Sequence, residues 1–274
     1  MSISEFKKIA QKNANEPYWI SRYLIRKGSI YFTYLCVKVS IKPNLVTLSS
    51  LILSIAGSII LLFEIEHKYL ISALLIFGFY FLDHVDGELA RYYSHVFPSK
   101  SGKINVAGKY FDRVVHYFQG SSFYVCLGAS LFFSEGDIYW FILGLLGSIG
   151  SSGFPRFTAC FDMLNTIDKA RSKEYFDYID KYSKFNVVHF SEEGVLTKKL
   201  SFPKNIGDLV LIARQLIGFP GNITIYFLVV IASNLIPIGN EIYMLYLLFY
   251  GLVLFINTIF ATKKYLNILS EIPE

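Results

Sequence analysis

Charge is scarce in this sequence. Of its 274 residues only 17% are charged and 53% are hydrophobic, where soluble proteins carry about a quarter charged; disorder is excluded and a soluble globular domain is disfavoured. Cysteine is scarcer still. Cys36, Cys126 and Cys160 are widely spaced and form no Cys-x-x-Cys or Cys/His pattern, so neither a disulfide framework nor a zinc site is indicated. They read as small buried apolar side chains. No basic recognition module points to nucleic acid, and there is neither an internal repeat nor a low-complexity tract. Residues 1–17 are polar and the first long apolar run lies far downstream, so no cleavable signal peptide is expected.

What the chain has in excess is apolar length, with 25 Phe and 20 Tyr. A membrane span needs about 20 mostly apolar residues, because hydrocarbon offers the backbone no partner and a helix must satisfy its own hydrogen bonds. Six stretches qualify: residues 45–63, 69–92, 108–133, 138–163, 208–235 and 241–266. The pattern predicts an all-α polytopic membrane protein of six transmembrane helices. Its expected divisions are an N-terminal segment 1–44, a transmembrane domain 45–268 and a tail 269–274.

Lys and Arg translocate poorly. Under the six-span plan 25 of the 26 basic residues fall on one side, leaving Lys68 alone on the other. Both termini are therefore expected in the cytoplasm, and the net charge of +5 belongs to one membrane face, where it attracts anionic head groups or phosphorylated substrates. Ahead of the first span, residues 18–39 mix aromatics with Arg22, Arg26 and Lys27, as in an amphipathic helix lying in the head-group plane. Pro43, Asn44 and Thr47 supply the break and cap that open the first span. Residues 164–207 form a long connection expected to cover the inner face with short helices.

The informative residues are those a bilayer penalises. An Asp at the centre of a span costs roughly 2.5–3.5 kcal/mol on insertion, so several together need partners, water or metal. On the second span Asp83, Asp86, Gly87 and Ala90 share one face; on the third, Gly108, Asp112 and His116 do the same. Facing stripes would gather three carboxylates and an imidazole around a gap kept shallow by the small residues. Such ligands suit Mg²⁺ or Mn²⁺, which bind through a few carboxylates plus substrate phosphates. Plainer roles exist for each residue: Gly87 and Gly108 as close-packing positions, Arg91 as a carboxylate partner or boundary marker. His84 and Glu88 point off the stripe and are unassigned; His95 and His189 read as surface residues.

At these residues the sequence resembles the CDP-alcohol phosphotransferase family, whose signature is D-x2-D-G-x2-A-R-x8-G-x3-D-x3-D. Asp83, Asp86, Gly87, Ala90, Arg91, Gly108 and Asp112 appear in the family order. Two departures stand out. Sixteen residues separate Arg91 from Gly108 instead of eight, and His116 stands in place of the last Asp.

The resemblance implies metal roles for Asp83, Asp86 and Asp112, with Mg²⁺ or Mn²⁺, two ions expected. It implies a site for the CDP moiety at Gly87, Ala90, Arg91 and Gly108, and a general base on the acceptor hydroxyl at the last position, here His116. Metal ligation and a purely structural place remain alternatives for this imidazole. The implied activity is transfer of a substituted phosphate from a CDP-alcohol donor to an acceptor hydroxyl with release of CMP, in phospholipid or related phosphodiester biosynthesis. One partner is expected to be a lipid. Arg156 and Arg214, the other expensive charges, are candidates for a donor or acceptor pocket, against a boundary marker and a partner of Asp208. A homodimer is implied through residues 144–153, whose small side chains serve internal packing in the other reading. Transport, and a silent scaffold, are the competing functions.

Overall fold

A computed structural model describes residues 1–11, 21–97, 106–152, 216–217, 221–236 and 239–270. The described residues are helical and contain no strand. In chain order they form α1 (Ile3–Ala10), a π-helical turn (Ser21–Ile25), α2 (Arg26–Lys38), α3 (Pro43–Ile59) with a 3₁₀ extension (Ile60–Leu62), α4 (Lys68–Val96), α5 (Val106–Glu135), α6 (Ile138–Ser151), α7 (Gly221–Leu235) and α8 (Glu241–Ser270). Arg156, Arg214, Cys160, His189 and the 164–207 connection lie outside the described residues.

Three helices among these residues are long and apolar enough to cross a membrane: Pro43–Leu62, Lys68–Val96 and Glu241–Lys263. α6 and α7 are shorter apolar helices. α5 has 30 residues, or about 45 Å at 1.5 Å per residue. Leu45, Leu48, Ile52 and Ile59 on α3, and Leu245, Phe249, Leu252 and Ile256 on α8, are exposed. An outer surface this apolar is what a lipid-facing helix presents.

The boundaries follow from local chemistry. Pro43 occupies the first turn of α3, where a missing N–H costs nothing. At the α5–α6 corner Gly136 has φ +81° and its N–H donates to the Phe132 carbonyl at 2.8 Å; the left-handed backbone there suits glycine. α3 meets its neighbours through Thr47, Ser50, Ser54 and Ser58, all buried, small enough for close helix approach. Ser58 Oγ reaches Ser122 Oγ of α5 at 3.1 Å.

A tyrosine-rich core ties α5, α7 and α8. Asn222 Nδ2 donates to Tyr124 Oη at 3.3 Å, and Tyr246 Oη donates to the Asn222 carbonyl at 3.2 Å. Between α5, α6 and α8 the glycines pack within the chain. A methyl group on Gly144 would stand 2.7 Å from the Tyr124 carbonyl oxygen, and one on Gly147 3.3 Å from the Gly251 Cα. The small residues of 144–150 thus have intramolecular partners, which favours the internal-packing reading of that stretch. Cys36 and Cys126 are free and buried, as expected.

The N-terminus departs from expectation. Residues 3–10, expected to be merely polar, fold into α1, opened by a capping box in which Ser2 and Glu5 exchange hydrogen bonds. Phe6, fully buried, packs edge-on against Tyr34 of α2 and tilted against Tyr92 of α4, with ring centroids 5.4 and 5.0 Å apart.

Candidate active site

α4 and α5 carry the acidic signature, and the α4–α5 gap is where it converges. His116 Nε2 of α5 lies 2.9 Å from Asp83 Oδ1 of α4 and 3.5 Å from Asp112 Oδ1, one turn earlier on its own helix. Asp83, Asp112 and His116 can each offer one ligand atom, all within 4.8 Å of one another. The cluster is graded in access: the side chains of Asp83 and His116 are 19% and 23% exposed, and that of Asp112 is 42% exposed. A ligand can therefore reach it from the Asp112 side. Phe79, one turn before Asp83, abuts the imidazole edge-on at 5.7 Å and closes the apolar side.

Asp86 sits beside this trio rather than at its centre. It is buried at the α3–α4 contact, where Thr47 Oγ1 donates to its Oδ2 at 2.7 Å, and it remains within electrostatic reach of Asp83, Asp112 and His116. In the sequence Thr47 reads only as part of a helix cap; the structure makes it the partner of Asp86.

Gly87 and Ala90 continue the α4 stripe. Ala90 is exposed and Gly87 half-buried, so the wall beyond Asp86 is shallow. A methyl group on Gly87 would stand 3.3 Å from Nη1 and 3.6 Å from Nη2 of Arg91; the guanidinium lies across the glycine, with Nε donating to the Ala10 carbonyl at 2.6 Å. Gly108, half-buried, opens the facing helix.

Glu88 turns the other way. It is 1% exposed, and its oxygens accept from Gln11 Nε2 and Ser29 Oγ at 2.8 Å each and from Thr33 Oγ1 at 2.6 Å. A buried carboxylate must be satisfied in this way or neutralised. The sequence signal was available: an acid inside a span that does not share the signature face has to find partners on another helix. His84 stacks edge-on against Tyr80 at 4.8 Å, with Nδ1 3.0 Å from the Tyr80 carbonyl oxygen. His95 is exposed, as expected.

The donor set fits a divalent cation. Two carboxylates and one imidazole converge without a thiol, a combination suited to Mn²⁺ or Mg²⁺ rather than to a soft metal. No curated protein matches the chain. Residues 40–146 match the profile of the family described as CDP-alcohol phosphatidyltransferase, a segment that contains α3, α4, α5 and the start of α6, and with them every residue of the α4–α5 cluster.

Proposed function

We propose that this protein transfers a substituted phosphate from a CDP-alcohol to an acceptor hydroxyl, releasing CMP, at the cytoplasmic face of a membrane. The observation that carries the reading is the Asp83–His116–Asp112 cluster inside the segment that matches the family. Asp83, Asp86 and Asp112 would hold Mg²⁺ or Mn²⁺, with two ions the family expectation. A divalent cation there supplies screening of the diphosphate oxygens and of the charge on the departing CMP.

The chain's own residues do the rest. The shallow wall at Gly87, Ala90 and Gly108 admits the CDP moiety, and the terminal nitrogens of Arg91 pair with its phosphate oxygens. The acceptor oxygen bonds to the phosphorus that carries the alcohol as the bond from that phosphorus to CMP breaks. With Nε2–H donated to Asp83, His116 takes the hydroxyl proton at its other ring nitrogen, and Asp83 and Asp112, 2.9 and 3.5 Å from Nε2, stabilise the imidazolium that results. The products are a phosphodiester and CMP. Phospholipid or related phosphodiester biosynthesis is the setting.

Six spans, both termini in the cytoplasm and the 1–44, 45–268 and 269–274 division belong to the same proposal. It is supported by the inward bias of Lys and Arg and by the apolar exterior of the helices. α2 belongs at the interface: Tyr31, Phe32, Leu35 and Val39 are exposed, and Lys38 reaches back over the Tyr34 ring at 4.8 Å, the arrangement of a helix with aromatics in the head-group layer. A site at that level could take a lipid laterally and a soluble partner from the cytosol. The test is incubation of purified protein with Mn²⁺ or Mg²⁺, a panel of CDP-alcohols and a lipid extract, followed by mass spectrometry for a new phosphodiester. A product that requires both CDP-alcohol and metal supports the reading; none with any donor favours a silent homologue.

A further inference from the structure

We propose that the N-terminal helix α1 is a working wall of the donor pocket: the Ala10 carbonyl fixes the Arg91 guanidinium across Gly87, and Gln11 and Glu88 are the positioning residues that hold α1 in place. This rests on the transferase reading above and extends it to residues 1–11, which precede the segment matching the family.

The anchoring is built at three points. Phe6 wedges between Tyr34 and Tyr92, which sets α1 against both α2 and α4. At the C-terminal end of α1, Gln11 spends both amide hydrogens on other elements, donating to the Arg26 carbonyl at 2.7 Å and to Glu88 Oε1 at 2.8 Å. Glu88 in turn gathers Ser29 and Thr33 of α2, so α1, α2 and α4 meet at a single buried carboxylate. One turn beyond Glu88 on the same helix, Arg91 Nε donates to the Ala10 carbonyl at 2.6 Å.

The consequence concerns orientation. The hydrogen bond from Nε to Ala10 restrains the planar guanidinium, and its two terminal nitrogens fall against Gly87, a residue of the site-facing stripe. A flexible arginine would have to be ordered by each incoming diphosphate; one already held loses less entropy on binding. α1 therefore acts on donor affinity through Arg91, and has little to contribute to the acceptor or to the proton transfer at His116.

The experiment uses full-length protein in detergent or nanodiscs, with Gln11→Ala, Arg91→Ala, the double variant and Lys8→Ala as control. Three quantities are read: donor and acceptor KM with kcat, the Kd for CDP, and amide hydrogen exchange over residues 3–10. Gln11→Ala is expected to speed exchange in α1 and to weaken donor KM and CDP binding about tenfold, the scale of one charge-assisted hydrogen bond. Acceptor KM and kcat should change less than about threefold, and Lys8→Ala should match wild type. In the Arg91→Ala background the added effect on the donor should fall below about twofold. Freed α1 with unchanged donor KM and CDP binding would overturn the proposal, as would an undiminished effect of Gln11→Ala when Arg91 is absent. Wild-type protein that binds CDP but turns over no CDP-alcohol would sink the transferase reading instead; the CDP and exchange comparisons would still decide the role of α1.

Discussion

His116 Nε2 and Asp83 Oδ1 meet at 2.9 Å across the α4–α5 gap, so the imidazole that replaces the signature's final carboxylate is tied to the signature's first. The pairing gives the substitution a chemical rationale. A neutral base that becomes an imidazolium between two carboxylates gains stabilisation as the proton arrives. His116→Ala should lower kcat by about 10²–10⁴-fold, the usual worth of a general base, with donor KM little changed, as read from initial rates of CMP formation. His116→Asp should retain turnover and lower the metal concentration needed for half-maximal rate, since a fourth carboxylate adds attraction for a cation.

Metal dependence is the second expectation. Chelation with EDTA should abolish activity, and Mn²⁺ or Mg²⁺ should restore it. Asp83→Asn and Asp112→Asn each remove one of the converging ligands and should cost at least about a hundredfold in rate, partly recovered at high metal concentration. Rates measured against free metal concentration separate this from misfolding, which excess metal would not rescue.

Glu88 predicts a stability effect distinct from catalysis. Truncation to alanine leaves the donors of Gln11, Ser29 and Thr33 without their acceptor, at roughly 1 kcal/mol or more each, so Glu88→Ala should destabilise the protein by about 3 kcal/mol. Thermal or denaturant unfolding in detergent would read it. Glu88→Gln keeps one acceptor oxygen for Gln11 and Ser29 and should lose about half as much.

Much of the site was legible in the sequence because the bilayer makes charge conspicuous. Asp83, Asp112 and His116 stand out as residues that hydrocarbon would exclude, and helical spacing alone sets them on faces that the structure brings together. Asp86 shares the stripe by spacing, yet its carboxylate leans to α3, since Thr47 offers a hydroxyl there. α1 was not legible. Eight residues hold too few periods to be read as a helix, and its stability comes from Phe6 entering a slot made by Tyr34 and Tyr92, a contact between segments far apart in sequence. Glu88 was visible as an anomaly but not as a hub, because its partners lie on α1 and α2.

The close packing of α5, α6 and α8 yields another test. A methyl group at Gly128 would meet the Trp140 carbonyl oxygen at 2.7 Å and the Gly144 Cα at 2.8 Å, backbone atoms that cannot swing aside as a side chain tip can. Gly128→Ala and Gly144→Ala should each destabilise by about 1–3 kcal/mol, the usual cost of overpacking, without altering donor KM in the folded fraction. Unfolding midpoints combined with kinetics on the soluble fraction would check it.

The start of α1 carries a small pH dependence. The Ser2 backbone N–H, donating to Glu5 Oε2 at 2.9 Å, and then the Ser2 hydroxyl hold the Glu5 carboxyl below its usual value. A depressed carboxyl contributes stability that is present above the unfolded value, about 4.3, and is lost as pH falls through the lowered folded value. A carbon-13 titration of the Glu5 carboxyl should therefore find its midpoint on the acid side of a free glutamate, and Ser2→Ala, which removes the hydroxyl and keeps the backbone N–H, should move it only part of the way back.

The most direct measurement is CMP release from CDP-alcohols by purified wild-type protein, Asp112→Asn and His116→Ala, side by side with Mn²⁺ or Mg²⁺. Wild-type turnover that needs metal and an acceptor hydroxyl, and falls at least about a hundredfold in both variants, is the predicted result. Turnover left intact by either substitution would contradict a reaction centred on the gap between α4 and α5.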